Sequence, residues 1–103
     1  MPDANVEKFR WIAGYVGKYK ISNHGRILSV YGKGKLLVPI VHKSGHLKIN
    51  LADSRGIITH LISRLVLQTF DRPPRGPERV VHLDKNLENN HIDNLEWSSG
   101  SKS

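Results

Sequence analysis

VVHLDKNLENNHIDNLEW, residues 80–97, sets two short apolar runs on either side of a stretch dense in amides and acids. Residues 80–83 read as a strand, residues 84–90 as a polar loop and residues 95–97 as a second strand. At the end of the first run stands His82, of a residue type suited to proton transfer. Asn94 lies across the loop from it, and an amide donates and accepts at once, so it can brace a polar loop without adding charge.

Upstream, apolar residues at Leu61, Ile62, Leu65, Val66 and Phe70 form a helical stripe, with Thr59 available as its cap. The run Asp71-Arg72-Pro73-Pro74 ends that helix because proline lacks an amide donor and restricts the residue before it. Farther upstream the chain reads as a β-meander. Residues 19–21, 26–30, 36–41 and 46–51 alternate or are β-branched, and glycines punctuate the gaps. The fold class is therefore α+β. Residues 1–58 are expected to form a basic, β-rich module, and residues 59–103 a second unit with a helix at about 61–70 and a two-stranded core at about 79–98.

The chain has 103 residues and no cysteine, so one small domain or two packed modules must hold together without disulfides or a thiolate metal site. Neither a membrane-length apolar run nor the hydrophobic segment of a secretory signal is present, and a cytoplasmic location is expected. Net charge is +7, and it is unevenly placed. Residues 1–58 hold ten basic side chains against three acidic ones, whereas residues 59–103 hold six of each. Such a front-loaded charge suits a polyanion, and DNA is the expected partner. The residues assigned to that contact are Lys18, Lys20, Asn23, Arg26, Lys33, Lys35, Lys43, Lys48 and Arg55. Asn23, His24 and Arg26 sit in a tight turn from which they could reach base edges, and a turn built for its own hydrogen bonds explains them as well.

Two sets of residues carry a family resemblance. Trp11-Ile12, Gly14-Tyr15, Gly17, Tyr19, Ile21-Ser22-Asn23, Gly25-Arg26-Ile27 and Ser29 resemble the DNA-binding module that accompanies phage and intron-encoded HNH homing endonucleases. Arg64-Leu65-Val66, Phe70 and residues 80–97 resemble the phage-type HNH domain, in which a helix precedes a ββα-metal core, and Asn94-Leu95-Glu96-Trp97 matches its closing signature. The resemblance implies metal-assisted phosphodiester hydrolysis of DNA in a phage-infected bacterial cell. His82 would be the general base, with one ring nitrogen held by a backbone carbonyl, and Asn94 its brace. Mg2+ or another divalent ion would stabilise the developing charge.

Three positions depart from that pattern. Val81 stands where a metal ligand is expected just before the base, Ser103 where a second ligand would follow on the closing helix, and Ser63 where a histidine would precede Arg64. The Ser, Gly and Lys tail after Trp97 is too short for a stable helix, so most of the final helix of the ββα unit is expected to be missing. Asp84 and Asp93 are the substitute metal candidates. These departures open two alternatives: a catalytically inactive DNA-binding derivative, and a phage factor that acts on a host protein.

Overall fold

A computed structural model describes residues 6–31 and 33–98. The expected tail and Ser103 lie outside the described residues, apart from Ser98. The chain is α+β, with three small antiparallel sheets gathered round one helix. Strands β1 (Phe9–Trp11), β2 (Tyr19–Ser22), β3 (Ile27–Ser29) and β4 (Lys35–Leu36) form the first sheet in that order. Strands β5 (Ile40–Val41), β6 (Leu47–Asp53) and β7 (Gly56–Leu61) form the second. Helix α1 (Ile62–Phe70) follows directly, and β8 (Arg79–His82) pairs with β9 (Leu95–Ser98) as the third sheet.

The expected single strand over 36–41 is divided between two sheets. Leu36 pairs with Leu28 of β3, whereas Ile40 pairs with Lys48 of β6. The break falls at Pro39, which has no amide to donate, while Leu37 donates its N–H to Ile27 O at 2.8 Å. The meander is thus two sheets joined at a corner.

Strand β7 was not expected. Ile57, Ile58 and Thr59 are β-branched and follow a tight turn in which Arg55 N–H donates to Asp53 Oδ1 at 2.8 Å, so they continue the hairpin with β6 to Leu61. Thr59 therefore does not cap the helix: its hydroxyl donates to Asn50 Oδ1 at 2.6 Å. Leu61 is the extended N-cap and makes no side-chain cap bond. Residue 58, the expected module boundary, lies inside β7.

A nine-residue helix without a cap is unstable in isolation. Its stability comes from burial. Ile62, Leu65, Val66 and Leu67 are all at most 3 % exposed and join Ile12, Tyr15, Tyr19, Ile21 and Ile27 of the first module, Ile49 and Leu51 of the second sheet, and Leu95 and Trp97 of β9 in one core. Burying each large apolar side chain contributes roughly 1.5–3 kcal/mol. Polar ties complete the packing: Ala52 N–H donates to Tyr19 Oη at 3.2 Å, and Trp97 Nε1–H donates to Arg72 O at 2.9 Å.

The β2–β3 turn is held by Ser22, whose hydroxyl accepts the N–H groups of His24 and Arg26, both at 3.1 Å. Gly25 completes it at φ +89°, and a Cβ there would come within 2.9 Å of Asn90 Cβ. Gly25→Ala is therefore expected to cost at least about 1 kcal/mol from backbone strain alone, with the collision against Asn90 added. Chemical denaturation of the two proteins measures the difference.

Candidate active-site loop and nucleic-acid face

His82 is the last residue of β8 and pairs across the hairpin with Leu95. The intervening loop is organised by Asp84 and Asn94. The Asp84 carboxylate accepts from Asn86 N–H at 2.7 Å, Asn89 Nδ2 at 2.9 Å and Asn94 Nδ2 at 2.9 Å. The bond from Asn89, then those from Asn86 and Asn94, hold its pKa below the usual carboxylate value. Asn94, buried, accepts Asp84 N–H on Oδ1 at 2.9 Å, and its Nδ2 also donates to Asn89 O at 2.9 Å. Its carbonyl accepts Leu83 N–H at 2.8 Å. These bonds tie Asn94 to Asp84 and Asn89, and among the described residues its side chain makes no hydrogen bond to His82, the residue it was expected to brace.

That bond comes from Asn90 instead. The imidazole Nε2 lies 2.9 Å from Asn90 Oδ1, and both residues are buried, His82 at 6 % exposure. The expected backbone-carbonyl partner is replaced by a side-chain amide. An amide oxygen can only accept, so Nε2 carries the proton and Nδ1 presents a lone pair. The sequence signal was the paired Asn89-Asn90, which marks a structured polar loop but does not say which amide turns inward. The His46 ring stands 5.5 Å from that of His82. Burial, followed by the neighbouring His82 and His42, pushes the His46 pKa down.

The donor set for a metal is not assembled. Val81, next to His82, offers no ligand atom, and Asp84 spends both carboxylate oxygens on the loop. Asp93 is 67 % exposed and lies 3.9 Å from His91 Nδ1. Among the described residues no three His, Cys, Asp or Glu side chains converge on a cation position. Ser63 is buried in α1.

The residues expected to meet DNA fall into two groups. Asn23 does not reach outward: it is 5 % exposed, with Oδ1 accepting Lys8 N–H at 3.0 Å and Nδ2 donating to Val6 O at 3.1 Å. Arg26 is paired with Glu7, whose pKa that guanidinium holds at about 2. Arg55 is paired with Asp53 at 2.6 Å and lies over the Tyr15 ring, while Lys20 Nζ sits 4.7 Å from the Trp11 ring. Among the described residues Lys18, Lys33, Lys35, Lys43 and Lys48 make no ion pair; Lys35 lies on β4 and Lys48 on β6. The register of the second sheet puts Ile40, Lys48 and Leu61 in one cross-strand row, with the bonded Asn50–Thr59 pair and Ala52–Ile57 beside it. These positions alternate with buried Ile49 and Leu51 and form the outer face, where Ile57 is 72 % exposed.

Comparison with known proteins gives a consistent answer. Residues 7–52, from just before β1 into β6, match the NUMOD4 motif. The chain is 34 % identical over 79 residues to an uncharacterized HNH endonuclease of Acanthamoeba polyphaga mimivirus, which covers 77 % of this chain and 24 % of that protein. It is 35 % identical over 86 residues to the DNA endonuclease I-HmuI of Bacillus phage SP01, covering 84 % of this chain and 49 % of that enzyme. The solved structure of the HNH homing endonuclease I-HmuI, described as binding and cleaving DNA, superposes with a TM-score of 0.82 at 33 % identity, covering 88 % of this chain and 52 % of that one. The chain thus spans between a quarter and half of the length of these relatives.

Two outcomes follow from the site. Asn90→Ala strands the buried Nε2–H of His82 without an acceptor and is expected to cost about 1–3 kcal/mol; thermal denaturation, together with the imidazole 15N shifts of His82, reports the loss and the freed tautomer. Burial also pushes His60 down, as it does His46, from an ordinary value of 6.5. The unfolded chain then takes up these protons first, so stability is full above that value and falls as pH drops below it. The melting temperature should be lower at pH 5.5 than at pH 7.5, and a His46→Gln, His60→Gln double variant should flatten that decline.

Proposed function

The chain belongs to the HNH homing endonuclease family, and from that premise we propose that it binds duplex DNA and sets His82 as general base against a phosphodiester. The observation that carries the reading is the Nε2 contact to Asn90 Oδ1 at 2.9 Å, which in the neutral imidazole favours the tautomer with its lone pair on Nδ1. In that state the imidazole takes a proton from water as the water oxygen bonds to phosphorus, and the 3′ oxygen leaves with the electrons of the broken P–O bond. A divalent ion would supply charge stabilisation in such chemistry. Val81 has no side-chain donor atom and Asp84 is committed to its loop, so among the described residues no ready set of side-chain ligands awaits an ion.

Grip on the DNA comes from the cationic first half. Lys48 beside the Asn50–Thr59 pair offers both a phosphate contact and hydrogen-bonding groups on a sheet face, and a β-ribbon fits the roughly 12 Å major groove. The flanking Ile57 and Leu61 supply apolar contact surface on the same face.

A second reading is a DNA-binding protein that does not cut. It is favoured by Val81 and by the burial of His82 at 6 % exposure.

One experiment separates the two. Supercoiled plasmid is incubated with the purified chain and with His82→Ala in Mg2+ or Mn2+, and a labelled duplex is titrated at several salt concentrations. The first reading expects nicking by the parent chain only, with both proteins retarding the duplex and log K falling against log salt. Retardation without nicking by either protein transfers the conclusion to the second reading. Absence of any salt-sensitive retardation removes both.

A further inference from the structure

Arg64 lies in α1 and is half-buried, its guanidinium 5.2 Å from the centre of the Trp97 ring. Three other arginines are neutralised close by, Arg26 by Glu7, Arg55 by Asp53 and Arg72 by Glu78, whereas Arg10 lies over the Phe70 ring. Arg64 has no such carboxylate, and its N–H groups make no hydrogen bond among the described residues. A partly desolvated cation with up to five unspent donors is costly unless a partner arrives. A cation–π contact with Trp97 draws the guanidinium toward the indole and offsets part of that cost, while the planar group keeps its donors for a partner.

Arg64 is one of the residues lining a cleft of about 360 Å³ between β7 and α1, with Thr59, His60, Leu61, Leu65 and Gln68. No acidic side chain lines it. His60 is engaged with Tyr15 at 3.0 Å, so the charge in the cleft is that of Arg64, with the Gln68 amide as a second donor. Strand β7 is last in its sheet and leaves one edge unpaired beside the cleft. Two lining residues, Thr59 and Leu61, share the outer face with Lys48 and Asn50. The cleft is therefore continuous with the surface assigned to DNA.

We propose that Arg64 is a phosphate clamp, receiving a phosphodiester oxygen of the bound duplex in the cleft between β7 and α1. This rests on the DNA-binding reading and adds to it a contact from the half of the chain whose formal charge is zero. Trp97 serves as the clamp's platform.

Fluorescence anisotropy with two unrelated duplexes, for the parent chain and Arg64→Gln across a salt series, tests the clamp. Loss of one phosphate contact should reduce the slope of log K against log salt by roughly one, so the affinity lost between 50 and 200 mM salt shrinks by about 3.5-fold, equally for both duplexes. The Nε–H resonance of Arg64 in the parent chain provides a second measurement that does not depend on a variant folding. It should move on addition of duplex. A steep slope for the parent that is unchanged in Arg64→Gln, or a resonance that duplex leaves in place, overturns the clamp while leaving DNA binding intact. A parent chain that fails to bind overturns both. Inorganic phosphate is the remaining arm: a saturable shift with phosphate alone and none with duplex assigns the cleft to a free anion and also overturns the proposal.

Discussion

The structure depends on the close approach of one turn to one loop. Gly25 lies so near Asn90 that a Cβ would come within 2.9 Å, and Ile92 N–H donates to Asn23 O at 2.8 Å. Asn23 works in two directions. Its side chain pins the chain entering β1 through Lys8 and Val6, while its carbonyl receives the short 3-10 turn Ile92–Asn94. The His24 and His91 rings stack across the same seam at 4.6 Å. Asn90, pressed against Gly25, is also the residue that orients His82. The position of the imidazole is thereby referred to the first sheet through two residues, and whatever that sheet grips is held at a fixed offset from His82.

Side-chain amides do in the β8–β9 loop what a larger core or a crosslink does elsewhere. The loop is mostly exposed, so apolar burial cannot hold it, and it contains no cysteine. Asp84 and Asn94 instead exchange bonds in both directions and draw Asn86 and Asn89 into the same lattice. A carboxylate whose oxygens accept three N–H groups is stabilised as the anion, so the Asp84 pKa is lowered and the lattice outlasts a free carboxylate as pH falls. It also explains why Asp84 is a poor metal candidate: withdrawing it for a cation would leave Asn86 N–H and two amide groups without their acceptor.

How much of this was legible follows from the range of each interaction. Helix α1 and strands β8 and β9 could be read because their apolar spacing is local and bounded by prolines and polar runs. The division of residues 36–41 between sheets could not, since each half is chosen by a partner elsewhere, Leu28 in one case and Lys48 in the other. Strand β7 was hidden by its direct entry into α1, where a capping threonine and a strand threonine look alike in sequence. At the site, His82 and Asn94 were singled out through the family resemblance of residues 80–97, whereas the contact of Asn90 with His82 depends on the packing of Gly25 sixty-odd residues earlier. Asn23 reads as a turn residue with an outward amide until Val6 and Lys8 are seen to claim it.

The same long-range pairing changes what the net charge means. Ten cations in the first half suggest a broad polyanion surface, yet Arg26 and Arg55 are already neutralised by Glu7 and Asp53. With Glu7 held at about 2, its pair with Arg26 persists at every pH at which DNA binding is of interest. Releasing either arginine to a phosphate would expose a carboxylate to the same phosphate, so these two cations serve the turns in which they sit. The first-half cations then left for the proposed DNA contact are chiefly the lysines on the strands and turns of the two sheets. A formal count therefore overstates the number of phosphates the first half can neutralise, because counterion release follows contacts made rather than charges carried.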